Sequence, residues 1–200
     1  MDFQYDKKGL MERIILPKKS LAPNFIGSWV MNPLSLCDDL IDYFESNENK
    51  QKRGITKGGK NQEIKNSTDI TITPNEIKLP GNEVFDQYFK HLFDCYQDYV
   101  NQWPFLESFA ENLQVSSFNL QRYKSGQHFQ KVHTERSSLD TLHRVFAWMT
   151  YLNDVDENSG GSTFFSHYDL AIQPRKGLTL IWPAEWTHAH KGNVLKADSK

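Results

Sequence analysis

The sequence predicts an α+β protein, mainly β, built as a double-stranded β-helix (jelly roll) with N-terminal helices packed on one face. Two observations predict it. From Ser116 onward, short β-type runs separated by turn residues follow one another, at a spacing of roughly ten residues that suits a sandwich or jelly roll better than a parallel sheet. Upstream, two stretches carry apolar residues at three- and four-residue steps, the period of helices with one buried face.

Taken in order, residues 1–32 read as a polar lead-in, with Ile14, Ile15 and Leu16 as a first strand. Asn32-Pro33-Leu34-Ser35 opens a helix whose apolar face is Leu36, Leu40, Ile41 and Phe44. Glu48 to Lys65 is rich in Lys, Arg and Gly. It is expected to be a solvated loop, the sharper alternative being a mobile flap that folds over a substrate. Ser67 to Thr73 alternates and is β-branched, so it reads as a strand. A second helix runs from Pro80-Gly81-Asn82 to Trp103, burying Val84, Tyr88, Leu92, Cys95 and Tyr99. His91 within it is read as a packing or surface residue.

The β-type runs are Phe118–Tyr123, Phe129–Glu135, Arg144–Leu152, Ser162–Phe165, Leu170–Gln173, Leu178–Trp182 and Thr187–His190. Between them stand Ser125-Gly126, Asn158-Ser159-Gly160-Gly161, Pro174, Lys176-Gly177 and Pro183, residues that pre-set turn geometry. The expected organisation is a support layer over 1–115 and a jelly-roll core over 116–200, within one structural domain.

With 38% hydrophobic and 13% aromatic residues the chain is neither disordered nor fibrous, and a net charge of -2 offers no general pull toward nucleic acid or membrane. No apolar run approaches the roughly 20 residues that span a bilayer. Cys37 and Cys95 both fall in predicted helices, where two buried thiols point to a reducing, cytoplasmic compartment rather than a disulfide framework.

The chemistry is concentrated in His133-Thr134-Glu135. In a strand, residues two apart project to the same face, with Cα atoms roughly 6–7 Å apart, so an imidazole and a carboxylate converge on one point. Two histidines and one carboxylate with open positions left over form the facial triad of non-haem iron(II) oxygenases. The second histidine must come from elsewhere, and both His188 and His190 are available on one face of a predicted strand.

The stretch from Leu120 to Lys200 resembles the prolyl 4-hydroxylase-like family of iron(II)/2-oxoglutarate-dependent dioxygenases. The matching runs are Leu120-Gln121-Arg122-Tyr123-Lys124-Ser125-Gly126-Gln127, His133-Thr134-Glu135, Thr150-Tyr151-Leu152-Asn153-Asp154, Gly160-Gly161-Ser162-Thr163-Phe164-Phe165, Gln173-Pro174-Arg175-Lys176-Gly177, and His190-Lys191-Gly192-Asn193-Val194 with Lys200. The resemblance implies Fe(II) held by His133, Glu135 and His190, with 2-oxoglutarate gripped by Lys200, Tyr123 and Thr163, and with ascorbate as an accessory. It selects His190 because ten residues on stands the basic Lys200, whereas ten residues after His188 stands Asp198. It implies hydroxylation of a peptidyl proline, an amino acid or a small metabolite, with release of succinate and carbon dioxide.

Two departures qualify it. Glu135 stands where most relatives carry Asp, and the sequence stops at Lys200 where relatives continue into a closing strand. The second is read as an incomplete sequence; otherwise 2-oxoglutarate binding is impaired. The alternative function is therefore a catalytically silent jelly-roll binding module. A nucleic-acid-dealkylating oxygenase, with Lys50 to Lys65 on phosphates, ranks behind both, because residues 191–200 hold no arginine.

Overall fold

A computed structural model of the chain describes residues 24–56, 59, 61–109 and 112–197. The strand expected at Ile14–Leu16 lies outside the described residues. The elements are β1 (Gly27–Val30), α1 (Ser35–Ser46), β2 (Lys52–Arg53), β3 (Lys65–Asn66), β4 (Thr68–Ile72), α2 (Val84–Gln102), α3 (Phe105–Phe109), β5 (Phe118–Arg122), β6 (His128–His133), β7 (Phe146–Thr150), β8 (Thr163–Phe165), β9 (Leu170–Ile172), β10 (Leu178–Pro183) and β11 (His190–Gly192).

The strands form three sheets, ordered β1-β10-β7, β2-β4-β5 and β3-β6-β11-β8-β9, all paired antiparallel. This is the mainly-β jelly roll that the spacing of turns predicts. The early strands are woven into the later ones: β1 pairs with β10, β3 with β6, and β4 with β5.

Helices α1 and α2 bury Leu36, Leu40, Phe44, Phe85, Tyr88, Leu92, Cys95 and Tyr99 in one cluster with Ile70, Ile72 and Ile181. The stripe predicted on α2 is thus the packed one, except that Phe85 is fully buried and Val84 only partly so. A polar chain crosses this interface. His91 Nε2 lies 2.9 Å from Thr179 Oγ1, which lies 2.9 Å from Thr150 Oγ1, which lies 3.0 Å from the Tyr88 hydroxyl. His91 is therefore a packing residue. A second cluster, Ala147, Phe165, Leu180 and Trp182, fills the space between the sheets.

Three elements differ from expectation. Gly27–Val30 is a strand rather than lead-in, because Trp29 packs on the core and its indole N–H donates to Asp98 at 3.0 Å. Within the Glu48–Lys65 stretch, β2 and β3 pair into separate sheets and Gly54 N–H donates to the Ser67 carbonyl at 2.9 Å. Those two ends are anchored parts of the fold rather than a free loop. Thr187–His190 is not one strand: Trp186–His188 makes a 3₁₀ turn and only His190 enters β11.

Candidate metal centre

His133 on β6 and His190 on β11 are Cα partners in an antiparallel pair. Such partners hold their Cβ atoms roughly 4.5–5.5 Å apart on one face, and the two imidazoles lie 4.5 Å centroid to centroid. Glu135 joins them by a route other than strand alternation. β6 ends at His133, and the chain then bends onto the loop after β10, where the Ala184 carbonyl accepts from Thr134 Oγ1 at 2.5 Å and from Arg136 N–H at 3.0 Å. The bend directs the Glu135 carboxylate at the two rings, with Oε1 3.7 Å from His133 Nε2 and 3.8 Å from His190 Nε2. One ligand atom from each of the three residues lies within 4.8 Å of the others, the one such group among the described residues.

The hydrogen bonds fix which nitrogen is free. His133 Nδ1 lies 2.8 Å from the Lys131 carbonyl and His190 Nδ1 2.9 Å from the His188 carbonyl. A carbonyl only accepts, so each Nδ1 carries the proton and each Nε2 presents a lone pair to the shared space. Burial holds both imidazoles below the usual histidine range, and at His190 the neighbouring His133 adds to the effect. Two imidazole lone pairs and a carboxylate therefore face one another at distances too long for hydrogen bonds. That arrangement is repulsive unless a cation or proton lies between them. The donor set and its outer supports fit a metal ion with open positions.

The outer supports are specific. Arg144 donates to Glu135 Oε2 at 3.2 Å, and an Arg136–Glu185 ion pair braces the same bend. Phe129 stacks on His133 at 3.8 Å and 15°. Phe165 and Trp182, both buried, stand 5.4 and 5.2 Å from His190 and keep water from its inner side. Arg144 was not singled out in the sequence, and its place as the first residue of a predicted β-run gives no sign of its role.

Of the other predicted residues, His188 is excluded from the cluster. Its Nε2 lies 2.7 Å from the Asn24 carbonyl and its Nδ1 3.0 Å from Thr187 Oγ1, so both nitrogens are engaged. The 3₁₀ turn removes the shared strand face that made it a rival of His190. Tyr123 and Thr163 line the same cavity as His133, Glu135 and His190, a space of about 2300 Å³. The Tyr123 hydroxyl donates to Gln121 Oε1 at 3.3 Å, and burial together with the Asp69 carboxylate pushes its ionisation up. Buried Thr163 accepts from the Tyr151 hydroxyl at 2.7 Å. That phenol, pushed up to about 12 by burial, is a cavity-lining donor the sequence reading passed over. Its place in the Thr150-Tyr151-Leu152-Asn153-Asp154 run was the available signal. Lys200 lies outside the described residues.

Two histidines and one carboxylate with positions left open are the donor set that non-haem iron(II) oxygenases use. Residues 118–200 match the family model described as the 2OG-Fe(II) oxygenase superfamily. Fe(II) and 2-oxoglutarate are the metal and cosubstrate that the match to this model implies, and the His133, Glu135 and His190 cluster lies within the matched residues. No curated protein matches the chain.

Solved structures show the same fold over most of the chain. A viral collagen prolyl hydroxylase from Paramecium bursaria Chlorella virus-1, solved as its 2-oxoglutarate complex, is 19% identical with a TM-score of 0.56, over 86% of this chain and 90% of its own. A Pseudomonas putida prolyl-4-hydroxylase is 18% identical with a TM-score of 0.60, over 86% and 85%. A Trichoplax adhaerens prolyl hydroxylase, in complex with a peptide fragment of the hypoxia inducible factor oxygen degradation domain, is 15% identical with a TM-score of 0.61, over 86% and 79%.

Proposed function

We propose that this chain is an iron(II)- and 2-oxoglutarate-dependent hydroxylase acting on a peptide, with a prolyl residue as the favoured target. Its iron would be held by His133, Glu135 and His190. The observation that carries the reading is the convergence of two imidazole Nε2 atoms and one carboxylate, each oriented by a second hydrogen bond. A peptide is favoured over a small metabolite because the cluster opens onto a wide, partly open cavity and because a fold neighbour was solved with a peptide bound.

When bound, the iron and 2-oxoglutarate supply the oxidation of a substrate C–H bond by dioxygen, with succinate and carbon dioxide as coproducts. The protein's own residues do the positioning. His133 and His190 offer neutral Nε2 lone pairs because their Nδ1 protons are held by backbone carbonyls. Glu135 supplies the negative charge, and Arg144 restrains its rotation. Tyr123, Thr163 and Tyr151 line the cavity, and their hydroxyls would turn to a carboxylate of the cosubstrate, with Lys200 assigned the charge that would pair with it. Phe165 and Trp182 keep the inner wall dry, which strengthens each of these contacts.

The test is anaerobic titration of the protein with Fe(II) and then 2-oxoglutarate, followed by succinate measurement in air. A weak visible charge-transfer band and succinate release, both absent from His133→Ala, are the expected result. Iron and cosubstrate bound without any succinate formed, across a panel of proline-containing peptides, would overturn it.

A further inference from the structure

Lys65 is a buried lysine beside the candidate metal centre, with a side chain only 4% exposed. Its ammonium donates to Asp69 Oδ2 at 2.6 Å, and Asp69 also accepts from Ser67 Oγ at 2.7 Å and Gln121 Nε2 at 3.2 Å. Gly54 closes the group from outside. A Cβ there would stand 2.1 Å from Ser67 Oγ and 3.1 Å from Asp69 Oδ2, so only glycine permits the approach. On the inner side, Lys65 is the Cα partner of Phe129, and its ammonium lies 5.5 Å from the Phe129 ring centroid. Phe129 in turn is the ring that stacks on His133. Ion pair, aromatic ring and imidazole thus form one packed row that leads to His133 Nε2.

We propose that Lys65, anchored by Asp69, is a positioning residue for His133 and acts through Phe129. This rests on the reading of His133 as a metal ligand. The hydrogen bond from His133 Nδ1 to the Lys131 carbonyl fixes the tautomer, but one bond is a hinge and leaves the plane of the ring free to tilt. The parallel face of Phe129 supplies the second constraint. Phe129 keeps that attitude because a cation sits over its ring, within the roughly 6 Å at which the ring quadrupole attracts it. Burying an ammonium is unfavourable without a partner, and Asp69 supplies one. A plain staple between β3 and β4 would need neither a cation over an aromatic ring nor a ring laid flat on the imidazole.

The test is Co(II) titration, followed by visible absorption, on the full chain alongside thermal unfolding of the metal-free protein. Lys65→Met is expected to weaken Co(II) binding roughly tenfold, the lower end of what loss of a ligand's outer support costs, and to lower Tm by leaving the buried Asp69 carboxylate without its counter-charge. Adding Asp69→Asn should restore Tm but not Co(II) affinity. Phe129→Leu, which leaves the ion pair intact, should weaken Co(II) to a similar degree, and Lys65→Arg should retain most of it. Wild-type affinity in Lys65→Met, or affinity that returns with Tm in the double variant, would show a structural staple only and overturn the proposal. Two controls separate this from the metal reading: absence of Co(II) binding by the wild type, or full binding by His190→Ala, would overturn the metal centre itself and the role of Lys65 with it.

Discussion

Arg144 reaches Glu135 twice, its Nη1 lying 3.2 Å from the carboxylate Oε2 and 3.4 Å from the backbone carbonyl. One guanidinium nitrogen therefore holds both the side chain and the main chain of the residue assigned to the metal. Glu is one methylene longer than Asp and has one more torsion to fix, and Arg144 restrains it. Arg144→Gln is expected to weaken Co(II) or Fe(II) binding by ~10–100-fold, as loss of partners outside the ligand shell generally does. Isothermal titration measures this, and unchanged affinity would show that Glu135 is held by the backbone bend alone.

His188 and His190 should separate cleanly. His188→Ala removes a buried imidazole that bonds the Asn24 carbonyl and the Thr187 hydroxyl, so it should cost about 1–3 kcal/mol of stability while metal binding persists. His190→Ala should lose metal binding with little change in unfolding free energy of the metal-free protein. Urea denaturation paired with metal titration of both variants makes the comparison, and metal loss in the His188 variant alone would reverse the assignment.

Much of the fold was legible because its signals are local. The apolar period of α2 and the turn residues between β5 and β10 depend on the chain's own neighbours, and they mark the elements correctly. The failures lie where a distant partner decides. Gly27–Val30 carries no strand pattern of its own and becomes β1 because the edge of β10 is there to pair with it. The site shows the same division. His133 and Glu135 were found through their spacing, yet the carboxylate arrives by way of a bend tied to Ala184, almost fifty residues downstream. Lys65 read as part of a solvated basic loop because nothing near it in sequence announces Phe129. The described residues instead bury it, since β3 pairs with β6.

The buried thiols set a pH dependence. Desolvation raises both, Cys95 to about 11, and Asp94 adds to the effect there. The unfolded chain loses its thiol proton first as pH rises, so it binds fewer protons than the folded chain across the window from the ordinary thiol value to about 11. Stability from Cys95 is present below that window and declines through it. Native protein should therefore react slowly with a maleimide at pH 7.5 and quickly in denaturant, and Cys95→Ala should flatten the fall in urea midpoint between pH 8.5 and about 10.5. Rapid labelling of Cys95 in the native state would contradict its burial.

Thr179 has no exposed surface, and its hydroxyl joins His91 on α2 to Thr150 on β7. The network continues to Tyr88, so four polar side chains satisfy one another inside the apolar layer between helix and sheet. Valine matches threonine in shape but cannot bond, so Thr179→Val would leave the imidazole and the Thr150 hydroxyl competing for too few partners. Each buried polar group left unpaired costs about 1–3 kcal/mol. The variant should lose stability in that range by chemical denaturation, with no change in m-value. Its metal affinity should not move, because Thr179 packs toward α2 and touches none of the three residues of the cluster. A joint loss of stability and metal affinity would mean that α2 and the metal centre are mechanically coupled through β10.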